Sequence, residues 1–368
     1  MTEHILPQIA DSLGLAGAWF LSSGIQEPEG GVARYYHSDT GVNARISTEI
    51  TGYAVSALVY LAAKTSCPDY LGASLKAARF LTREAWDSAA SQFPFEYSSS
   101  KSDPPQPLAY FFDTGIILRG LLAVWRATGR NEFLHRAAEA GHAMHAGFVR
   151  GHVIHPVLNL PDGSPVPHGE SWSRNPGCYQ LKAALAWREL GEATGDPSFA
   201  GYYEHALQIA LRQENDFLPG VSGRERVVDR LHAYCYFLEG LLPEAPRQEC
   251  AEALRRGIAK VARLAREIRP VFERSDVWAQ LLRVRLFADA LGVLKLDSAS
   301  AEEEVELLFS FQLQEPEDSM CGGFWFGRKQ ERMLPFVNPV STAFALQALQ
   351  MWREVHDGQF HGNSGELI

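Results

Sequence analysis

The stretch "FFDTGIILRGLLAVWRATGRNEFLHRAAEAGHAMH", residues 111–145, contains two helices of different kinds joined by a short turn. From Thr114 to Gly129 nearly every face is apolar or small, the pattern of a helix buried on all sides. From Asn131 to His145 the apolar residues return at helical spacing on one side only, the pattern of a helix between core and solvent. The link "TGRNE" carries the turn and cap residues that stop one helix and start the next.

The same pairing recurs along the 368 residues. Buried-type segments are "ITGYAVSALVYLAAK", "GCYQLKAALAWRELG", "RLHAYCYFLEGLL", "VWAQLLRVRLFADALG" and "PVSTAFALQALQMW". One-sided segments are "LPQIADSLGLAGAWFLSSG", "SLKAARFLTREAWD", "FAGYYEHALQIALRQE", "CAEALRRGIAKVARLAREI" and "EEEVELLFSFQLQ". A repeat of helix pairs whose partners cannot bury themselves alone calls for stacking. Six alternations predict an all-α (α/α)6 toroid of six inner and six outer helices, a single domain over 1–368. The 46% hydrophobic content is ample for its core. Strand signals are sparse and gather around "GHVIHPVLNL".

Loop lengths give the ring two unlike faces. Inner-to-outer links such as "TGDPS" and "TSCPDY" are short, whereas three outer-to-inner links (88–112, 150–176 and 315–339) are long. Long links in a compact domain are usually functional, so the site is expected at the inner-helix N-termini.

Composition excludes several classes. A net charge of −10 argues against nucleic acid as a partner. The N-terminus has neither a basic nor an apolar signal region, and no apolar run is long enough to span a bilayer; a cytoplasmic protein with no membrane partner is expected. Five scattered cysteines without a CxxC spacing agree with that compartment. The histidines of "HAMH" and "HVIH" lack accompanying cysteines or an HExxH spacing, so no metal or other cofactor is expected. The basic segment "RRGIAKVARLAREIR" reads most simply as the solvated face of an outer helix.

Asp113 is a single charge at the head of an apolar helix, and Glu49, Asp229 and Asp276 stand similarly before other inner helices. Each alone suits a helix N-cap. Together they ring one cavity, and glycoside hydrolysis needs two carboxyls in different protonation states. Asp113, beside Phe111 and Phe112, is the candidate general acid, since desolvation raises a carboxyl pKa. Asp229 is the candidate partner, with His232 as an acid, base or binding group. Tyr53, Trp172, Tyr179, Trp278 and Trp325 are candidates for stacking on sugar C–H faces. Arg174 and Arg328 are candidates for clasping a substrate carboxylate.

The tandem pattern "TGYAVSALVYLA", "FDTGIILRGLLAVWRATG" and "CYQLKAALAWRELGEATGD" resembles the six-hairpin glycosidase-like toroids. These include glycoside hydrolases, unsaturated-uronyl hydrolases, some polysaccharide lyases and, more distantly, glucuronyl C5-epimerases. The resemblance implies carbohydrate chemistry at the toroid mouth on a small-molecule or oligosaccharide substrate. Two alternatives stand beside it. "FQLQEPEDSMCGGFWFGR" resembles the Q–GG–aromatic repeats of terpenoid-cyclase toroids, although the DxDD and DDxxD motifs of those enzymes are missing. A toroid that binds or scaffolds without catalysis is the other.

Overall fold

A computed structural model describes residues 2–98, 106–218, 223–315 and 320–368. Among them are twelve α-helices: α1 (Thr2–Ser22), α2 (Thr48–Thr65), α3 (Pro68–Phe80), α4 (Phe111–Thr128), α5 (Asn131–Phe148), α6 (Gln180–Thr194), α7 (Pro197–Phe217), α8 (Arg224–Leu241), α9 (Gln248–Ile268), α10 (Ser275–Ala290), α11 (Ser298–Phe309) and α12 (Pro339–His356). They fall at the twelve segments that the sequence pattern picks out. α3 continues into a π-helical turn, Leu81–Ala85.

The chain divides into two compact units. One comprises residues 26–34 and 44–218 and carries α2 to α7; the other comprises 1–25, 35–43 and 219–368 and carries α1 and α8 to α12. Each therefore holds three of the apolar helices and three one-sided ones. In the first unit the short links are built as the sequence requires. α4 and α6 end at Gly129 and Gly195, both with the positive φ that glycine tolerates, and Asp196 caps α7 with Pro197 in its first turn.

Among the described residues the outer-to-inner links contain thirteen strands of two or three residues. Such short pieces leave no periodicity to read. Their placement matters more than their length. Strands Ile46–Ser47, Leu108–Tyr110 and Phe272–Arg274 run directly into α2, α4 and α10, so each helix's first turn is pinned by a ladder.

That geometry corrects the cap readings. Ser47 caps α2, and Tyr110 and Arg274 hold the N-cap positions of α4 and α10. Glu49, Asp113 and Asp276 lie inside the first turns instead. α8 starts at Arg224, earlier than its apolar stretch suggests, so Asp229 sits within the helix. The run "RERVVD" is helical, with Val227 alone buried.

The glycines of "CGGFWFGR" are explained by packing. A Cβ on Gly322 would lie 2.0 Å from the carbonyl oxygen of Leu15, and one on Gly323 would meet Trp19. Both glycines let this loop lie against α1, to which Gln312 also donates a 2.9 Å hydrogen bond at the Ser12 carbonyl. Residues 316–319 of the same stretch are outside the described residues.

Candidate functional site

In the first unit, close helix packing gathers the charged groups. A Cβ on Gly52 of α2 would come within 2.9 Å of Ile117 Cα, and one on Gly115 of α4 would come within 2.4 Å of the Ala183 carbonyl in α6. The three backbones therefore touch with no side chain between them. Glu49 is one turn before Gly52, Asp113 one turn before Ile116–Ile117, and Lys182 is next to Ala183. Backbone contact at the glycines thus draws Glu49, Asp113 and Lys182 together at the helix heads.

The electrostatics follow from this crowding. Burial pushes the Asp113 carboxyl well above the usual range, and the neighbouring Glu49 pushes it further, against the pull of Arg34. Its Oδ2 is buried with no hydrogen-bond partner among the described residues. Burial also raises Glu49, which is only half-buried by surface exposure, to about 7, against the pull of Arg34 and Lys182. Lys182 is fully buried, with its ammonium 5.3 Å from the centre of the Tyr53 ring. Arg34 stands at the surface end of this cluster, over the Phe95 ring at 5.0 Å and paired with Glu96 at 3.5 Å.

An aromatic wall adjoins the head of α4. Trp172 meets Tyr179 edge-on at 4.9 Å and Phe112 edge-on at 6.2 Å. Tyr179 is buried and donates from its hydroxyl to the Asn175 carbonyl, whereas Trp172 keeps part of its surface open. Arg174 hydrogen-bonds the Tyr110 phenol, whose pKa is raised by burial and by the charge of Asp113.

The second unit holds the other candidates. His232 on α8 is buried, with Nδ1 2.9 Å from an Arg274 guanidinium nitrogen. A guanidinium only donates, so Nδ1 accepts and the ring proton is assigned to Nε2. Burial and Arg274 push the His232 pKa well below its usual value, which keeps the ring neutral at pH 7. Arg274 is fixed in turn by a two-point pair with Asp276 and lies over Phe326 at 4.5 Å. Trp278 is buried and donates to Glu273 at 3.0 Å; Arg328 pairs with the same carboxylate. Trp325 is partly exposed, and its carbonyl accepts from Ser275. Asp229 is half-buried on α8.

The structure thus joins Glu49, Asp113 and Tyr53 in one cluster, Trp172 and Tyr179 in another, and His232 with Asp276 through Arg274. It adds Arg34, Tyr110, Lys182, Glu273 and Arg274, which the sequence reading passed over. Lys182 had a legible signal, since it is a lone charge in "CYQLKAALAW" much as Asp113 is in its own segment. Arg34 had none. The histidines of the one-sided segment are engaged locally: His142 pairs with Asp196 at 3.2 Å, and His145 stacks on Tyr202 at 3.7 Å. No helix among the described residues is long and apolar enough to cross a membrane.

The Glu49 shift predicts a pH-dependent stability. Its folded pKa of about 7 exceeds the ordinary 4.5, so its contribution is fully favourable below pH 4.5 and is lost as pH rises through 7. By linkage the folded state loses up to about 3 kcal/mol over that interval. Glu49→Gln should therefore match wild type near pH 4 and gain on it by pH 8 in urea titrations. A constant difference between the two curves would refute the assignment.

No protein-family profile matches the sequence, and no curated protein matches it significantly. Solved structures do match. A sugar epimerase from a ruminal bacterium superposes with a TM-score of 0.72 at 12% identity, covering 94% of this chain and 98% of its own. The cellobiose 2-epimerase from Spirochaeta thermophila gives 0.72 at 15% identity, covering 95% and 97%. An unsaturated glucuronyl hydrolase from Bacillus sp. gives 0.68 at 12% identity, covering 98% and 99%. The chain has the all-α (α/α)6 toroid fold of these structures.

Proposed function

We propose that the protein is a carbohydrate-active enzyme of glycoside hydrolase type, with Glu49 and Asp113 as the acid/base pair. The observation that carries this reading is the pair itself: two neighbouring carboxyls that burial raises to different extents, Asp113 well above its usual range and Glu49 to about 7 against the pull of Arg34 and Lys182. Asp113, the more buried and the only one without a lysine beside it, keeps the proton and serves as general acid. Glu49, partly open and flanked by two cations, is the ionised partner that activates water or attacks the sugar. Phe112, Trp172 and Tyr179 offer apolar ring surfaces to a sugar, and Arg34 and Arg174 suit one bearing a carboxylate. The sugar-acting names of the structural neighbours support the substrate class.

The test is a panel of neutral and uronic-acid oligosaccharides followed by mass spectrometry. Hydrolysis adds water to the products, whereas isomerisation leaves the mass unchanged. Product that depends on both carboxyls is expected. No product across the panel, or product that survives in both Glu49→Gln and Asp113→Asn, would overturn the reading.

A second reading, epimerisation by proton transfer beside a carbonyl, is favoured by His232. A neutral imidazole whose Nδ1 accepts from Arg274 presents its Nε2–H, a donor suited to polarising a sugar carbonyl at pH 7. Mass-neutral conversion with deuterium uptake from heavy water would identify it.

A further inference from the structure

Lys182 is an unusual residue to find buried in the first turn of a helix. A lysine with no exposed surface carries a heavy desolvation penalty unless anionic or polar groups compensate it. Its neighbours in the first turn do not share its task. Gln180 is committed to backbone, donating to the Ile154 carbonyl at 3.1 Å and accepting from the Gly177 amide at 3.1 Å. The groups facing the cluster are Glu49 and Tyr53 from α2, Asp113 from α4, Arg34 from the bend after strand Val32–Ala33, and Tyr110 with Arg174 at the head of α4. Arg34 acts on both carboxyls, while Lys182 acts on Glu49. Lys182 therefore adds to the inequality that the deeper burial of Asp113 begins.

We propose that Lys182 is a positioning residue, whose buried ammonium holds Glu49 as the ionised member of the pair and leaves the proton on Asp113. The proposal rests on Glu49 and Asp113 being the acid/base pair. The arrangement costs little conformational freedom, because the Gly115–Ala183 backbone contact fixes α6 against α4 and the Tyr53 ring supports the ammonium. Removing the cation leaves two carboxyls with Arg34 alone. Glu49 then takes up its proton at higher pH, and the division of labour is lost.

Lys182→Met keeps the length of the side chain and removes the charge; Lys182→Arg keeps the charge. Carboxyl ¹³C NMR of the substrate-free protein reads Glu49 directly. Its midpoint, about 7 in wild type, is expected to move up by at least about one pH unit in Lys182→Met, a tenfold change in proton affinity, and to stay near wild type in Lys182→Arg. Lys182→Gln provides the same comparison if the Met variant does not fold. An unchanged midpoint in the neutral variants overturns the proposal. With a turned-over substrate, the acidic limb of kcat/KM should move up in pH by the same amount; a uniform loss at every pH would mark a merely structural lysine and also overturn it. Because the NMR arm needs no substrate, a wild type without turnover counts against the acid/base reading, whereas a fixed Glu49 midpoint counts against Lys182 alone.

Discussion

Replacing Asp113 with Asn is expected to lower turnover by about 100-fold to 10,000-fold while leaving the fold intact, the usual effect of deleting a general acid. Asp113 lies inside the first turn of α4, with Tyr110 at the N-cap position, so an amide of the same shape removes the proton donor and little else. Stability should even improve at alkaline pH. The Asp113 carboxyl is raised well above its ordinary value, so its contribution is present in acid and lost as pH rises, and Asn has no ionised form to disfavour. Steady-state kinetics and urea titration at pH 8 check both halves. An Asn variant with wild-type kcat/KM would remove Asp113 from the chemistry.

The largest expected effect on stability lies in the second unit, at Arg283. This guanidinium has no exposed surface; it pairs with the equally buried Glu239, donates to Gln347 at 2.8 Å and sits 3.9 Å over the Phe344 ring. Arg283→Met should destabilise by about 3–5 kcal/mol, because it strands a carboxylate in the core. Pairing it with Glu239→Gln should recover part of the loss, since an uncharged amide is cheaper to bury than a lone anion. A single variant that loses less than about 1 kcal/mol would show that Glu239 is not held as an anion by this pair.

The candidate site was legible only in part. Asp113 and Glu49 stood out as charges at the heads of apolar helices, which is a local signal. Asp229 stood out for the same reason. It lies farther along its helix because the polar residues before it are helical too. Tyr53 and Trp278 are buried, Tyr53 under the Lys182 ammonium and Trp278 bonded to Glu273.

The twelve helices, their two kinds and the short turns were determined by the sequence alone. Helical periodicity, αL glycines and cap residues act over a few neighbouring positions, so a single strand of text records them. The partners of each charge were decided by tertiary structure. Arg34 and Lys182 are far apart in sequence, 148 positions by their numbers; Arg34 acts on Glu49 because strand Val32–Ala33 pairs with Ile46–Ser47 at the head of α2, and Lys182 because α2, α4 and α6 touch backbone to backbone at Gly52 and Gly115. The protonation of Glu49 and Asp113 depends on that contact in turn, since desolvation and Coulomb terms depend on distances through space rather than along the chain.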